Sequence, residues 1–179
     1  MKTLFINTFY QSYFLFFRFC LILITKFYKS KSILILDLDN TICNTWPLLN
    51  IEPDIAKVYS RADCFIGVKN HVSSLVQNRN IILVILTARN IKYFYTTKQW
   101  LKKNSINYQF LFMTNSIDLK FVFFKYLISS RKTIIIDDLS YNHENGEVFF
   151  YHNIINHLEK NKNVTYLNYL SLQNLQSHI

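Results

Sequence analysis

At 179 residues, half of them apolar and 17% aromatic, the chain is long enough for one domain with a hydrophobic core and too apolar to be disordered. Two glycines and two prolines leave no flexible linker, and Cys20, Cys43 and Cys64 form no CxxC pair, which points to free thiols in a reducing compartment. The net charge of +9, with no acid before Asp37, fits an anionic partner and equally fits a Lys-, Asn-, Ile-, Phe- and Tyr-rich composition of the kind AT-rich coding gives.

In chain order, residues 1–31 read as a hydrophobic, basic N-terminal helix and residues 32–179 as the main domain. Residues 4–25 have the length of a bilayer-spanning helix, about 20 residues. Lys26, Lys29 and Lys31 would hold the main domain on the cytosolic side. Against a span, Asn7, Gln11 and Arg18 interrupt the run, and a central arginine costs about 2.5 kcal/mol or more. The segment is either a membrane anchor or surface helix, or a helix that packs on the domain. No small-x-small site comes after it, so it does not read as a cleaved signal peptide. The expected location is cytoplasmic, with membrane contact through residues 4–25 as the variant.

Apolar runs then alternate with helical patterns. Strands are expected at 32–38, 81–87, 109–113, 133–137 and more weakly 164–168, and helices at about 69–78, 91–104, 118–129 and 152–161. This alternation implies an α/β fold, a central parallel sheet with helices on both faces. Residues 42–68, with Trp46, Pro47, Pro53 and Gly67, lack clear periodicity and read as an insert with one short helix near 54–60. The insert leaves the first strand at its C-terminal end, where it could act as a lid.

The first strand, Ser32-Ile-Leu-Ile-Leu-Asp37-Leu-Asp39-Asn40-Thr41, ends in two carboxylates, and a later one, Thr133-Ile-Ile-Ile-Asp137-Asp138, ends in two more. Burying unpaired acids costs several kcal/mol each, roughly, so a cation or a reaction is expected there. Ligands in such sheets bind beyond the C-terminal strand ends, where Asp37, Asp39, Thr87, Asp137 and Asp138 all fall. Asp37 can attack phosphorus, and Asp39 can protonate a leaving oxygen and later activate water. Mg²⁺ on Asp37, Asp39, Asp137 and Asp138 would offset the repulsion between carboxylate and phosphate. Thr87, ending Ile81-Ile-Leu-Val-Ile-Leu-Thr-Ala88-Arg89, can hydrogen-bond a phosphate oxygen. Substrate contacts are expected from Asn40, Thr41, Thr87, Ala88 and Arg89.

Asp37-Leu-Asp-Asn-Thr41, the strand ending in Thr87, a later lysine and Ile136-Asp137-Asp138 resemble the four ordered motifs of the haloacid dehalogenase (HAD) superfamily, over about residues 32–140. The resemblance implies a Rossmann-like fold and a phosphatase. Asp37 would be the nucleophile, Asp39 the acid/base with its backbone carbonyl on Mg²⁺, Thr87 the phosphate binder and Asp137 a metal ligand. It places the lysine at the start of the helix before the fourth motif, favouring Lys120 over Lys125. Asn40 stands where the family has glycine, and Asn tolerates a left-handed backbone.

Only about 46 residues separate Thr41 from Thr87, so a small cap or none is expected. A phosphorylated small molecule, such as a nucleotide or sugar phosphate, is the simplest substrate. The stretch Asp118-Leu-Lys-Phe-Val-Phe-Phe-Lys125 before Ile-Asp-Asp is loosely similar to the 3′-phosphatase domain of polynucleotide kinase/phosphatase, which implies nucleic-acid ends as the alternative. Arg89, Lys92, Lys98, Lys102 and Lys103, interleaved with Tyr93, Phe94, Tyr95 and Trp100, would suit such a partner; at helical spacing they also suit a core face and a solvated face. A non-catalytic, membrane-tethered binding module is the reading from another class. Asn142, His143 and Glu144, in the loop after the fourth strand, border the site, whereas His152 and His157 lie away from the acids.

Overall fold

The computed structural model describes residues 15–17, 19–24, 26–28, 31–78, 80–128 and 131–176, with the Glu144 side chain left aside. The chain divides into two compact units, Met1–Lys31 and Ser32–Ile179. In the first, residues 15–17, 19–24 and 26–27 are helical, and the Lys31 amine sits 5.7 Å from the centre of the Tyr28 ring. Residues 4–14, Arg18 and Thr25, within the stretch read as a membrane anchor, lie outside the described residues. Among the described residues no helix is long and apolar enough to cross a membrane.

The second unit is a Rossmann-like α/β fold. Its five-stranded sheet is built from β1 (Ser32–Leu36), β4 (Ile81–Thr87), β5 (Phe110–Met113), β6 (Thr133–Ile136) and β9 (Val164–Leu167), in the order β5-β4-β1-β6-β9. Every pairing is parallel. Four two-residue strands form minor sheets: β2 (Cys43–Asn44) with β3 (Asp63–Cys64), and β7 (Ser140–Tyr141) with β8 (Phe149–Phe150).

Continuous branched runs make the central strands because both faces are covered, the usual state of a parallel strand. Ile33, Leu34, Ile35 and Leu36 are all fully buried. One face packs Leu34, Leu36, Leu83 and Ile85 against helices α3 (Ile66–Val76), α4 (Phe94–Lys103) and α7 (Tyr169–Gln176), through Val68, Val72, Trp100, Leu101 and Leu172. Leu111 joins that core, and Phe112, pointing the other way, meets Phe123 of α5 (Ile117–Ile128) with ring centres 5.5 Å apart. Each such large side chain contributes roughly 1.5–3 kcal/mol on burial.

The insert is more ordered than its sequence suggests. It holds the β2–β3 pair and two short helices, α1 (Trp46–Leu49), with Pro47 in its first turn, and α2 (Ile55–Arg61), capped by Asp54 accepting from the Ala56 amide at 2.9 Å. Helix α3 begins three residues earlier than the periodicity suggests, at Ile66. Helix α7 was not legible: Asn168 caps it by accepting from the Ser171 amide at 3.1 Å, and it is held by a single buried residue, Leu172. Helix α6 (His152–Glu159) runs between β8 and β9.

The strand order sets the location of any site. From β1 the chain builds outward through β4 and β5, then returns to the other side of β1 for β6 and β9. The connections after β1 and β6 therefore diverge and open a crevice between two adjacent strands. Asp37 follows β1 directly, and Asp137 follows β6.

Candidate active site

Three carboxylates meet in that crevice. Asp37, Asp137 and Asp138 are all buried, and each offers an oxygen within 4.8 Å of the others. The backbone carries them there: the Asp37 amide donates to the Ile136 carbonyl at 3.0 Å, continuing the β1–β6 pairing one residue past the strands. Lys120, in the first turn of α5, sends its ammonium between two of the acids, 2.9 Å from Asp37 Oδ1 and 2.7 Å from Asp137 Oδ2. Lys125 is exposed and lies over the Phe121 ring at 4.2 Å. Of the two lysines weighed from the sequence, the fold brings Lys120 to the acids.

Charge does not balance in this cluster. Burial pushes the Asp37 carboxyl well above its ordinary range, Lys120 pulls it back, and Asp137, Asp138 and Asp39 push it up again. Asp137 is raised likewise, by burial first, with Lys120 opposing. Burial works against the Lys120 ammonium, but Asp137 and Asp37 outweigh it and hold its pKa above the usual value. One ammonium cannot neutralise three buried carboxylates, so the excess asks for protons or a further cation. An all-carboxylate donor set of this spacing suits a hard divalent ion such as Mg²⁺.

Asp138 is held on both oxygens. Thr41 Oγ1, fully buried, donates to Asp138 Oδ1 at 2.9 Å and accepts from the Asp138 amide at 3.0 Å, tying the β1 loop to the β6 loop. Ser140 Oγ donates to Asp138 Oδ2, and His143 Nε2 lies 2.6 Å from the same hydroxyl. A serine hydroxyl has one proton, so with Ser140 donating to Asp138 the contact from His143 is a donation from an Nε2–H tautomer. Leu139, between these residues, has φ 45°, a strained value for a side chain branched at Cγ. It is fixed by its amide on Asp137 Oδ1 and by its carbonyl accepting from the Tyr151 amide, both at 3.0 Å.

Asp39 turns elsewhere. Its carboxylate takes a forked pair from Arg89, with Nε 2.9 Å from Oδ2 and Nη2 2.7 Å from Oδ1. The buried guanidinium is itself braced by Thr97 Oγ1 at 3.3 Å, Cys43 Sγ at 3.2 Å and the Tyr59 ring, whose centre is 3.9 Å away. Burial pushes the Cys43 thiol up to about 12, so it stays protonated beside Arg89. Asn40 follows at φ 56°, the left-handed region that the Asp39-Asn40 turn requires. Its side chain accepts from Thr45 Oγ1 at 3.1 Å and the Trp46 amide at 3.2 Å.

These groups line a cleft of about 180 Å³. Asp37, Asp39, Thr87, Lys120, Asp137 and Asp138 form its polar wall, with Asn40 and Ala88 beside them. Thr41 and Arg89 stand behind the wall, engaged with Asp138 and Asp39 respectively. The Asp39 side chain is outside the three-carboxylate cluster. Thr87 Oγ1 accepts from the Arg89 amide at 3.3 Å. Ile117, Ser140 and Tyr151 also line the cleft and carried no signal in the sequence. Gln176, from the C-terminal helix, donates to the carbonyls of Asn40 at 2.8 Å and Thr41 at 3.2 Å, and so fixes the β1 loop from 135 residues away.

No protein-family model matches the chain, and no curated protein sequence matches it either. Two solved structures do. One is a chain of the Pnkp1/Rnl/Hen1 RNA repair complex, with a TM-score of 0.56 and 21% identity over 79% of this chain and 43% of that one. The other, from a second structure of the Pnkp1/Rnl/Hen1 complex, has a TM-score of 0.55 and 18% identity over 79% of this chain and 46% of that one. The chain spans less than half the length of either neighbour, and at this identity the likeness is one of fold.

Proposed function

We propose that the chain is a Mg²⁺-dependent phosphomonoester hydrolase of the HAD type, working through an aspartyl-phosphate on Asp37. The observation that carries this is the convergence of Asp37, Asp137, Asp138 and Lys120 in one cleft at the switch point of the sheet. Lys120 occupies Asp37 Oδ1, which leaves Oδ2 as the attacking atom. In the first step Oδ2 of Asp37 bonds to phosphorus, the ester bond breaks, and the leaving oxygen takes a proton from Asp39, which enters the step protonated on its own Oδ2 with Oδ1 still accepting from Arg89. In the second, Asp39 removes a proton from water, whose oxygen attacks phosphorus and frees Asp37 and inorganic phosphate. Lys120 and the Thr87 hydroxyl hold the transferred phosphoryl oxygens. A divalent cation held by Asp37, Asp137 and Asp138 supplies the charge that lets an anionic nucleophile approach an anionic phosphate.

The cleft is smaller than the roughly 300–1,000 Å³ of a typical small-ligand site, so it suits the phosphate-bearing end of a substrate. A nucleotide or sugar phosphate is the simplest occupant. A second reading, a phosphorylated nucleic-acid end, draws support from the fold likeness to chains of an RNA repair complex. The deciding experiment is hydrolysis of p-nitrophenyl phosphate with and without Mg²⁺, comparing the wild type with Asp37→Asn. Absence of Mg²⁺-dependent turnover across a phosphoester panel would remove the enzyme reading.

A further inference from the structure

The second unit has another hollow, larger than the acidic cleft. It has a volume of about 410 Å³ and lies along the outer face of α4, between Tyr95, Lys98 and Lys102 on the helix and Tyr108 on the loop leading to β5. Tyr95, Lys98 and Lys102 recur at one helical face, and the opposite face is core: Thr97, Trp100 and Leu101 are buried, with the Trp100 indole donating to the Ala62 carbonyl at 2.7 Å. The basic and aromatic run read from the sequence thus separates into two faces; the outer one keeps Tyr95, Lys98 and Lys102, and the loop adds Tyr108. Tyr95 is 79% exposed, an unusual setting for so large a ring.

Surface lysines are usually solvated and need no explanation. These two differ in their surroundings. From Cys64 to Ile117 the chain contains no acidic residue, while it contains Lys69, Arg79, Arg89, Lys92, Lys98, Lys102 and Lys103. Among the described residues, neither Lys98 nor Lys102 enters an ion pair. A concave, uncompensated cationic surface with ring faces matches a ligand that is both anionic and flat. Anionic lipid fits less well, because membrane-surface helices present inserting apolar residues rather than a tyrosine-walled hollow.

We propose that this hollow binds single-stranded nucleic acid, with bases against Tyr95 and Tyr108 and phosphates on Lys98 and Lys102. Helix α4 starts seven residues after Thr87, which lies in the acidic cleft, and its ten residues extend about 15 Å. In the proposal, a strand whose phosphorylated end enters the cleft continues along this helix. The inference rests on the phosphohydrolase reading only in making that strand the substrate.

The test is fluorescence anisotropy of the full chain with labelled 12-nucleotide RNA and DNA strands lacking a terminal phosphate. The p-nitrophenyl phosphate hydrolysis of every variant is measured alongside. Wild-type binding should weaken at least about sevenfold between 50 and 200 mM salt, the contribution of two lysines to a single strand. Lys98→Glu/Lys102→Glu should lose at least about tenfold at 50 mM salt and most of that salt dependence. Tyr95→Ala should lose about fivefold or more. All three proteins should hydrolyse p-nitrophenyl phosphate alike, and the RNA and DNA arms show which strand is preferred. Wild-type hydrolysis without strand binding, or equal binding by the variants, overturns the inference and leaves the phosphohydrolase reading standing. Binding lost in the variants with no hydrolysis in any protein sustains the inference and removes the phosphohydrolase reading. Phosphatidylserine vesicles binding in place of the oligonucleotides overturn it in favour of a lipid surface.

Discussion

Strands β1 and β6 each end in a pair of aspartates, and the two pairs behave differently. After β1, Asp37 faces Lys120 while Asp39 turns aside to a forked pair with Arg89. After β6, Asp137 and Asp138 both stay with Asp37. In each loop a left-handed residue follows the second acid, Asn40 at φ 56° and Leu139 at φ 45°. At Asn40 this conformation is readily adopted; at Leu139 it is strained by about 1–3 kcal/mol and must be held by its neighbours. Spacing i and i+2 lets the β1 end point two carboxylates at two different cations. Adjacent acids at the β6 end leave both carboxylates around one point. Under the proposed reaction, the first end separates a nucleophile from a proton carrier, and the second is a cradle for positive charge.

The sharpest way to break this contrast is to remove the nucleophile. Asp37→Asn should lower turnover of p-nitrophenyl phosphate by about 10³-fold or more, as loss of an attacking group does elsewhere. Steady-state kinetics at saturating Mg²⁺ would show it, and a loss of tenfold or less would mean that Asp37 does not attack. Next in size is Lys120→Met, which strips the ammonium from between Asp37 and Asp137. Breaking a buried pair on one side costs roughly 3–5 kcal/mol. Urea unfolding should report that loss without Mg²⁺ and a partial recovery with it; an unchanged midpoint would show that the acids are already protonated.

Arg89→Lys sharpens the other half of the β1 end. Lysine keeps the charge but cannot make the fork that fixes Asp39. General acid–base groups contribute about 10²–10⁴-fold, so misplacing Asp39 should lower kcat by about 10²-fold on an alkyl phosphate. The loss should be smaller on p-nitrophenyl phosphate, whose leaving group needs little proton transfer. Equal losses on both substrates would sink the assignment of Asp39 as proton donor and leave Arg89 a purely structural residue.

The legible parts of the sequence are those whose structure is set locally. Ser32–Leu36 and Thr133–Ile136 are unbroken branched runs, so their strands and the acids at their tips could be read from neighbouring residues, and the parallel sheet from the alternation of such runs with helices. Lys120 was favoured by the resemblance, which puts a lysine at the start of the helix before the fourth motif; the local pattern alone did not separate it from Lys125. Arg89 was legible as a site residue but not in its position, because the chain spacing cannot show that its partner is Asp39, fifty residues earlier. Gln176 carried no signal at all: its helix is held by one buried leucine, and its amide meets backbone carbonyls that any residue could offer. In the insert at 42–68 the helix near 54–60 was legible and is α2, whereas the two-residue strands and the four-residue helix are too short to express a period.

The smallest effect tests the β6 end alone. Ser140 and His143 touch neither Asp37 nor Asp39; they hold the outer oxygen of Asp138 through the ordered donation from Nε2 to Ser140 and from Ser140 to the carboxylate. Loss of a group that orients a metal-binding carboxylate typically costs 10–100-fold in metal affinity. Ser140→Ala should therefore weaken Mg²⁺ binding by about that factor in isothermal titration calorimetry. His143→Gln, which keeps an N–H donor, should weaken it less than His143→Leu, which has none. At saturating Mg²⁺ all three variants should approach wild-type kcat, because the nucleophile and proton carrier at β1 are untouched. A fall in kcat that Mg²⁺ does not restore would mean that the β6 end takes part in the chemistry, and the division of labour between the two strand ends would have to be redrawn.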